Sequence, residues 1–388
     1  MNNDVLKAAM ETARRLSHTV DSAASEFAAW LRAVSENNLR ITASAFDSAD
    51  IREAAQVKAA IPELRHPSSL ERWRALAAVA EAGVSTPSIF NSPLLDEMGN
   101  VTLHISLENL HPGSRSIKER AAGVVVGNMS DLAPGVPIRI ASSGNHAIAY
   151  AEACRRRRIP MTAVVPENTT AMKVAKLEER GAIVVRHGAN YDEAYSYAKQ
   201  ITQDQGGVFM DLSAPDSVAA LGTAVHDMLS LRPSVDVVVL PAGGGTVASA
   251  ARVARDFQAI WRPGRPYKIL IACPEGAPTI YESFKAGQVV TITPHTVADA
   301  TNVATVDAHL LPEIRAYADD VVVVPEQQIE QGVTLLSNAI GYPVEAAGTL
   351  GPMAVLGSGG LLHGASGALH DIRGQEVLSI VTGGNTDL

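Results

Sequence analysis

The sequence predicts an α/β protein built on open, mostly parallel sheets flanked by helices. Three observations lead there. From about residue 100, short β-branched runs alternate with Ala-rich helical stretches. Aromatic residues make up only 4%, so Ala, Val, Leu and Ile must build the core, a palette suited to sheets covered on both faces. At 388 residues the chain is long enough for two domains, at about 150 residues each.

The elements follow in order. Residues 1–62 read as a helical N-terminal extension, with Val5, Leu6, Met10, Ala13 and Leu16 at helical spacing, then Phe27, Trp30, Leu31 and Val34. This stretch carries no chemistry, and packing or oligomerisation is its expected role. The expected strands are 101–108, 137–142, 161–166, 182–188, 237–242, 267–273, 319–325 and 376–383. Helices HAIAYAEACRRRR and TTAMKVAKLEERG lie between them. The run Arg155 to Arg158 reads as either an anion site or a solvated last helical turn, where cations suit the dipole.

Composition removes several functions. The net charge of −9 disfavours nucleic acid and anionic membrane as partners. No run of about 18 apolar residues is present to span a bilayer. The first residues lack an apolar signal region, and Cys154 and Cys273 form neither a CxxC nor a disulfide framework. A cytoplasmic location is expected.

Three loops follow strand ends, where open α/β sheets bind ligands. Ser142-Ser143-Gly144-Asn145-His146 separates a strand from an Ala-rich helix, so its backbone can approach an anion at the helix N-terminus. A plain capped turn has the same look. Gly243-Gly244-Gly245-Thr246 follows VVVLPA. Three glycines together cost conformational entropy, and a phosphate cradle is their usual use. The loop is neither GxxxxGK[ST] nor GxGxxG, which weakens ATP and dinucleotide readings. Thr382-Gly383-Gly384-Asn385 follows the last strand, where a Thr hydroxyl can enter a cleft.

Lysine is scarce, with eight against 24 Arg, and Lys118 stands at the start of an expected helix, where its charge opposes the dipole. It reads as a surface lysine or as an amine placed for Schiff-base chemistry. One amine, one phosphate cradle, one carboxylate loop and one terminal hydroxyl together match the needs of pyridoxal 5'-phosphate.

The order SIKERAA, SSGNHA, PAGGGTVA and TGGN resembles the fold-type II pyridoxal phosphate enzymes, in the threonine/serine dehydratase and serine racemase branch. VAALGTAVHDML, TVADATNV and PVEAAGTLGPMAVL extend the likeness, which runs from about residue 64 to the end. The resemblance implies the tryptophan synthase β-subunit-like fold, with two open, mostly parallel, twisted sheets. Residues 63–134 and 216–388 would form a large cofactor-binding domain, and 135–215 a small domain carrying the carboxylate loop. By the same resemblance, Lys118 holds the cofactor as a Schiff base and serves as general base. Asn145 bonds the ring hydroxyl, Gly243, Gly244, Gly245 and Thr246 hold the phosphate, and Thr382 faces the pyridine nitrogen. Ser142, Ser143, Gly144 and His146 take the substrate.

Departures from the family pattern are Thr246 for a fourth glycine, Ile117 for Phe, Ala121 for Gly and Ala300 for the glycine of the ADG-type loop. At the racemase-like cation site Glu275 is present, but Tyr281 replaces an Asp, so no metal is assigned. The sequence ends at Leu388, just past Asn385, so no appended regulatory domain is expected. The implied reaction is β-elimination from a small β-hydroxy amino acid, giving a 2-oxo acid and ammonia. The alternatives are a racemase using Lys118 and Ser143, β-replacement of the cysteine synthase type, and a catalytically silent binding subunit. A homodimer is implied by analogy.

Overall fold

The computed structural model describes residues 88–386 except 130–131, 212 and 262–263. The expected helices of residues 1–62 lie outside the described residues. The chain begins with β1 (Ile89–Phe90), α1 (Pro93–Gly99), β2 (Thr102–Leu107) and α2 (Lys118–Gly127). It continues through β3 (Ile138–Ala141), α3 (Asn145–Arg157), β4 (Met161–Val165), α4 (Ala171–Glu178), β5 (Ile183–Arg186), α5 (Tyr191–Gln205) and β6 (Val208–Phe209). Next come α6 (Pro215–Leu231), β7 (Val237–Pro241), α7 (Ala251–Trp261), β8 (Lys268–Pro274), α8 (Thr279–Ala286), α9 (Leu311–Tyr317) and β9 (Asp320–Val324). The last elements are α10 (Glu326–Ile340), α11 (Ala346–Leu356), β10 (Leu361–His363), β11 (Leu369–Asp371) and β12 (Glu376–Val381).

Two main sheets result. One runs β1-β2-β12-β7-β8-β9 and is parallel except for β1. The other runs β5-β4-β3-β6 and is parallel throughout. All eight expected strands are present. The short strands β1, β6, β10 and β11 are additions that no run in the sequence announced.

Strand alternation explains the apolar runs. In β7, Val237 and Val239 enter one core while Val238 and Leu240 enter another. Leu270 and Ile271 of β8 divide the same way. Both faces are covered, so both need apolar side chains. Helix α11 is buried against this sheet from Ala347 to Leu356. Its Gly351 lies so close to Ser379 that any Cβ would overlap the hydroxyl, and only glycine permits that approach.

Local chemistry sets the helix ends. The Asn190 side chain accepts from the Glu193 amide at 3.1 Å, and Glu193 accepts from the Ala189 amide at 2.9 Å. Arg155 and Arg156 pair with Glu152, while Arg157 donates to the carbonyls of Val126 and Gly127 at the end of α2. Three of the four arginines in the basic run are thus engaged in helix packing. The hairpin β10–β11 covers edge strand β9, and Ser366 and His370 clip it there by hydrogen bonds to buried Asp320. No helix among the described residues is long and apolar enough to cross a membrane.

Candidate active site

Strands β2, β12 and β7 are adjacent and parallel. Val381 pairs with Leu107, and Ser379 with Val239, so their carboxyl ends lie side by side. The Lys118 loop, the Thr382 loop and the glycine loop therefore leave the sheet together. Residues 115–117 run antiparallel to 382–384. The Ile117 amide donates to the Thr382 carbonyl at 2.8 Å, and Gly384 donates to Arg115 at 2.9 Å. Val247, just past the glycine loop, packs on the apolar cluster that holds Ile117.

The smaller sheet supplies the opposite wall. At the end of β3, the loop from Ser142 begins α3 at Asn145. The Asn145 amide donates to both oxygens of Glu345 at 2.8 Å each, and Asn385 donates to Asn145 at 2.8 Å. Asn385 also donates to the Ser114 carbonyl at 2.6 Å. Asn145, Glu345, Asn385 and the Lys118 loop thus form one connected set.

Lys118 opens α2 and is lodged in the cleft. Burial lowers its amine to about 8, and the Glu345 charge opposes that shift. Among the described residues the amine has no hydrogen-bond partner. Burial raises the Glu345 carboxyl, against the Asn145 hydrogen bond. His146 stacks on Tyr150 at 4.8 Å, and its buried Nε2 has no partner among the described residues. Burial, with the Lys118 charge, keeps its ring neutral. The Ser142 hydroxyl accepts from the Gly144 amide at 3.3 Å, which turns it back onto its own loop. The Ser143 hydroxyl has no partner among the described residues, and Ser143 is half-buried.

The glycine loop is shaped by its surroundings. A Cβ at Gly243 would stand 2.8 Å from the Thr301 Cα, and Gly245 has φ +110°. A Cβ at Gly244 or at Gly144 would meet open space. Ala300 is exposed, so Thr301 rather than Ala300 presses on this loop. Tyr281 packs against the large sheet's core, and no group of three His, Cys, Asp or Glu side chains able to hold a metal occurs among the described residues.

Beneath the cleft lies a second polar set. Arg120 is fully buried and donates to Glu108 through Nε at 2.8 Å and Nη2 at 3.1 Å. Its Nη1 reaches Asp227 at 2.9 Å and Thr223 at 3.0 Å. His111 bonds Glu108 at 2.7 Å. Arg120 and His111 outweigh burial and hold the Glu108 carboxyl at about 2.

Most of the expected site residues meet in or around this cleft: Lys118, Ser142 to His146 and Thr382, with the glycine loop alongside. Sequence reasoning missed Glu345 as a site residue. Its signal was an acid standing alone in the apolar stretch PVEAAGTLGPM.

An unbonded amine, an orphaned ring nitrogen and two glycines facing open space fit an aldehyde cofactor with a phosphate. Comparisons agree. Residues 81–383 match the family model described as pyridoxal-phosphate dependent enzyme. The chain is 29% identical to L-threonine ammonia-lyase of Thermotoga maritima, over 76% of this chain and 70% of that protein. It is 29% identical to L-threo-3-hydroxyaspartate ammonia-lyase of Saccharomyces cerevisiae, over 78% of this chain and 88% of that one. The structure of maize serine racemase superposes with a TM-score of 0.72 at 26% identity, covering 82% of this chain and 93% of that chain. This chain belongs to the pyridoxal-phosphate dependent enzyme family.

Proposed function

We propose that this chain catalyses pyridoxal phosphate-dependent β-elimination from a small β-hydroxy amino acid, releasing a 2-oxo acid and ammonia. The observation that carries the reading is the Lys118 amine, unbonded and lowered to about 8, beside the Asn145–Glu345 pair. The names of the two ammonia-lyases support the reaction class.

When bound, the cofactor supplies an aldehyde for the substrate amine and a ring that takes up the electron pair left at the α-carbon. Lys118 would anchor it, and the freed Nζ, its amine lowered to about 8 by burial, would accept the α-proton in its neutral form. Asn145 would bond the ring hydroxyl, which its present contacts with Glu345 and Asn385 preorganise. The backbone amides of Gly243, Gly244, Gly245 and Thr246 would hold the phosphate. Ser142, Ser143 and Gly144, at the N-terminus of α3, would hold the α-carboxylate. Thr382 would face the pyridine nitrogen, and neutral His146 would border the substrate. The β-hydroxyl leaves with a proton as water. The smaller sheet's unit, residues 135–215 in this reading, would move to open the cleft. The reading includes a homodimer, checked by mass measurement in solution.

Racemisation is the second reading, and one observation favours it. The Ser143 hydroxyl is unbonded among the described residues, and it sits on the wall opposite the Lys118 loop. Loss of racemisation in Ser143→Ala with β-elimination retained would support it.

The test mixes the purified holoenzyme with L-serine, L-threonine or L-threo-3-hydroxyaspartate and assays 2-oxo acid alongside the absorption spectrum. The expected result is oxo acid release and a borohydride-sensitive band that Lys118→Ala lacks. No oxo acid from any of the three would overturn the lyase reading.

A further inference from the structure

Asn385 closes the segment TGGN that follows β12, and it ties together two distant parts of the chain. Its Nδ2 donates to the Ser114 carbonyl at 2.6 Å and to Oδ1 of Asn145 at 2.8 Å. Nδ2 of Asn145 in turn donates to both oxygens of Glu345 at 2.8 Å each. Gly383 leaves room for this arrangement. A Cβ there would overlap the Glu345 carboxyl and stand 2.9 Å from the Asn145 Nδ2.

The two ends of a side-chain amide have nearly the same shape, so only its partners decide which way it faces. Glu345 does not decide it. Burial raises its carboxyl, and a carboxyl that holds a proton can donate to an amide oxygen as well as a carboxylate accepts from the nitrogen. The Ser114 carbonyl does decide it, because a carbonyl only accepts. Its peptide unit is held from turning, since the N–H on the other side, that of Arg115, donates to the His111 carbonyl at 2.8 Å. Asn385 must therefore present Nδ2 to Ser114. The same Nδ2 meets Asn145, so Asn145 must turn Oδ1 to Asn385 and Nδ2 away from it. An ionised ring oxygen also only accepts, so Nδ2 is the end of Asn145 that it needs.

We propose that Asn385 is a positioning residue for the reaction, fixing the Asn145 amide with Nδ2 turned to the cofactor's ring oxygen. This rests on the reading above, in which Asn145 bonds that oxygen. The direction originates in the backbone of the loop that leads into Lys118. One loop thus carries the amine and sets the donor that meets the ring.

The experiment is a double-mutant cycle on the holoenzyme, with wild type, Asn385→Ala, Asn145→Ala and the double variant, and Asn385→Asp beside them. The readouts are the Kd of pyridoxal phosphate, from cofactor absorbance, and the pH at which the bound cofactor's absorption band changes. Asn385→Ala is expected to weaken the cofactor about 10-fold. It should also move the band's midpoint to higher pH, because the ring oxygen loses a donor that favours its charged form. In the Asn145→Ala background the same substitution is expected to change Kd less than about twofold. Asn385→Asp keeps the size of the side chain, cannot donate to Ser114 and draws the Asn145 nitrogen to itself. It is expected to weaken the cofactor more than Asn385→Ala does, which a packing role would not produce. Equal losses from Asn385→Ala in both backgrounds, or a wild-type Kd in Asn385→Asp, would overturn the proposal. Oxo acid is assayed alongside. Its absence from every substrate would remove the lyase reading alone, since both readouts follow the cofactor.

Discussion

Lys118 and Arg120 stand two residues apart on one helix, and their surroundings are opposite. Arg120 is sealed in, with Glu108, Asp227 and Thr223 meeting its donors. Lys118 faces the cleft, and its amine has no hydrogen-bond partner among the described residues. One cation is held permanently charged and fixed; the other is unbonded and pushed toward neutrality. The difference teaches how a single turn of helix serves both stability and chemistry. The buried network anchors the turn, and the anchored turn presents an amine that only a ligand can satisfy.

The largest expected effect separates the two outright. Lys118→Ala should cost at least about 10³-fold in turnover while leaving urea unfolding of the apoprotein unchanged. Arg120→Met should do the reverse in kind. It strands Glu108 and Asp227 in the interior and should cost about 3–5 kcal/mol of unfolding free energy. If Arg120→Met unfolds like wild type, the anchor role is wrong.

A middle-sized effect concerns protonation. Only a neutral amine captures an aldehyde, so capture of pyridoxal phosphate by the apoprotein should rise with pH through a midpoint at about 8. The Glu345 charge holds the Lys118 amine higher than burial alone would. Glu345→Gln should therefore move the midpoint to lower pH. A midpoint that stays fixed would remove Glu345 from the electrostatics of the site.

The smallest effect lies at the rim. Lys173 of α4 meets Asp299 at 2.9 Å, joining the smaller sheet's side of the cleft to the loop beside Gly243. Asp299 is 80% exposed, so the pair is screened. Lys173→Ala should raise KM about twofold and leave kcat unchanged, since exposed pairs contribute at most about 1 kcal/mol. A change in kcat alone would show that the pair acts on chemistry rather than on closure.

The sequence made the eight main strands legible because each reads as a β-branched run; seven are largely buried, while β5 is only partly covered. Strands β1 and β6 are two residues long, and β10 and β11 three, with half their positions open to solvent. They exist because a neighbouring strand offers its edge, which no local pattern records. The loops of the site were legible through their glycines and serines. Glu345 was not, because its partner Asn145 is 200 residues away.

One feature of the large sheet reaches into how the chain is made. Strand β12 lies between β2 and β7 and pairs with both. Residue 102 leaves the ribosome long before residue 376, and β2 and β7 wait meanwhile with one edge each unpaired. The smaller sheet, whose strands all fall between residues 138 and 209, can close much earlier. Synthesis therefore passes through a long interval with half a molecule folded and two apolar edges exposed. That interval, rather than the finished structure, is where this chain most needs protection from aggregation.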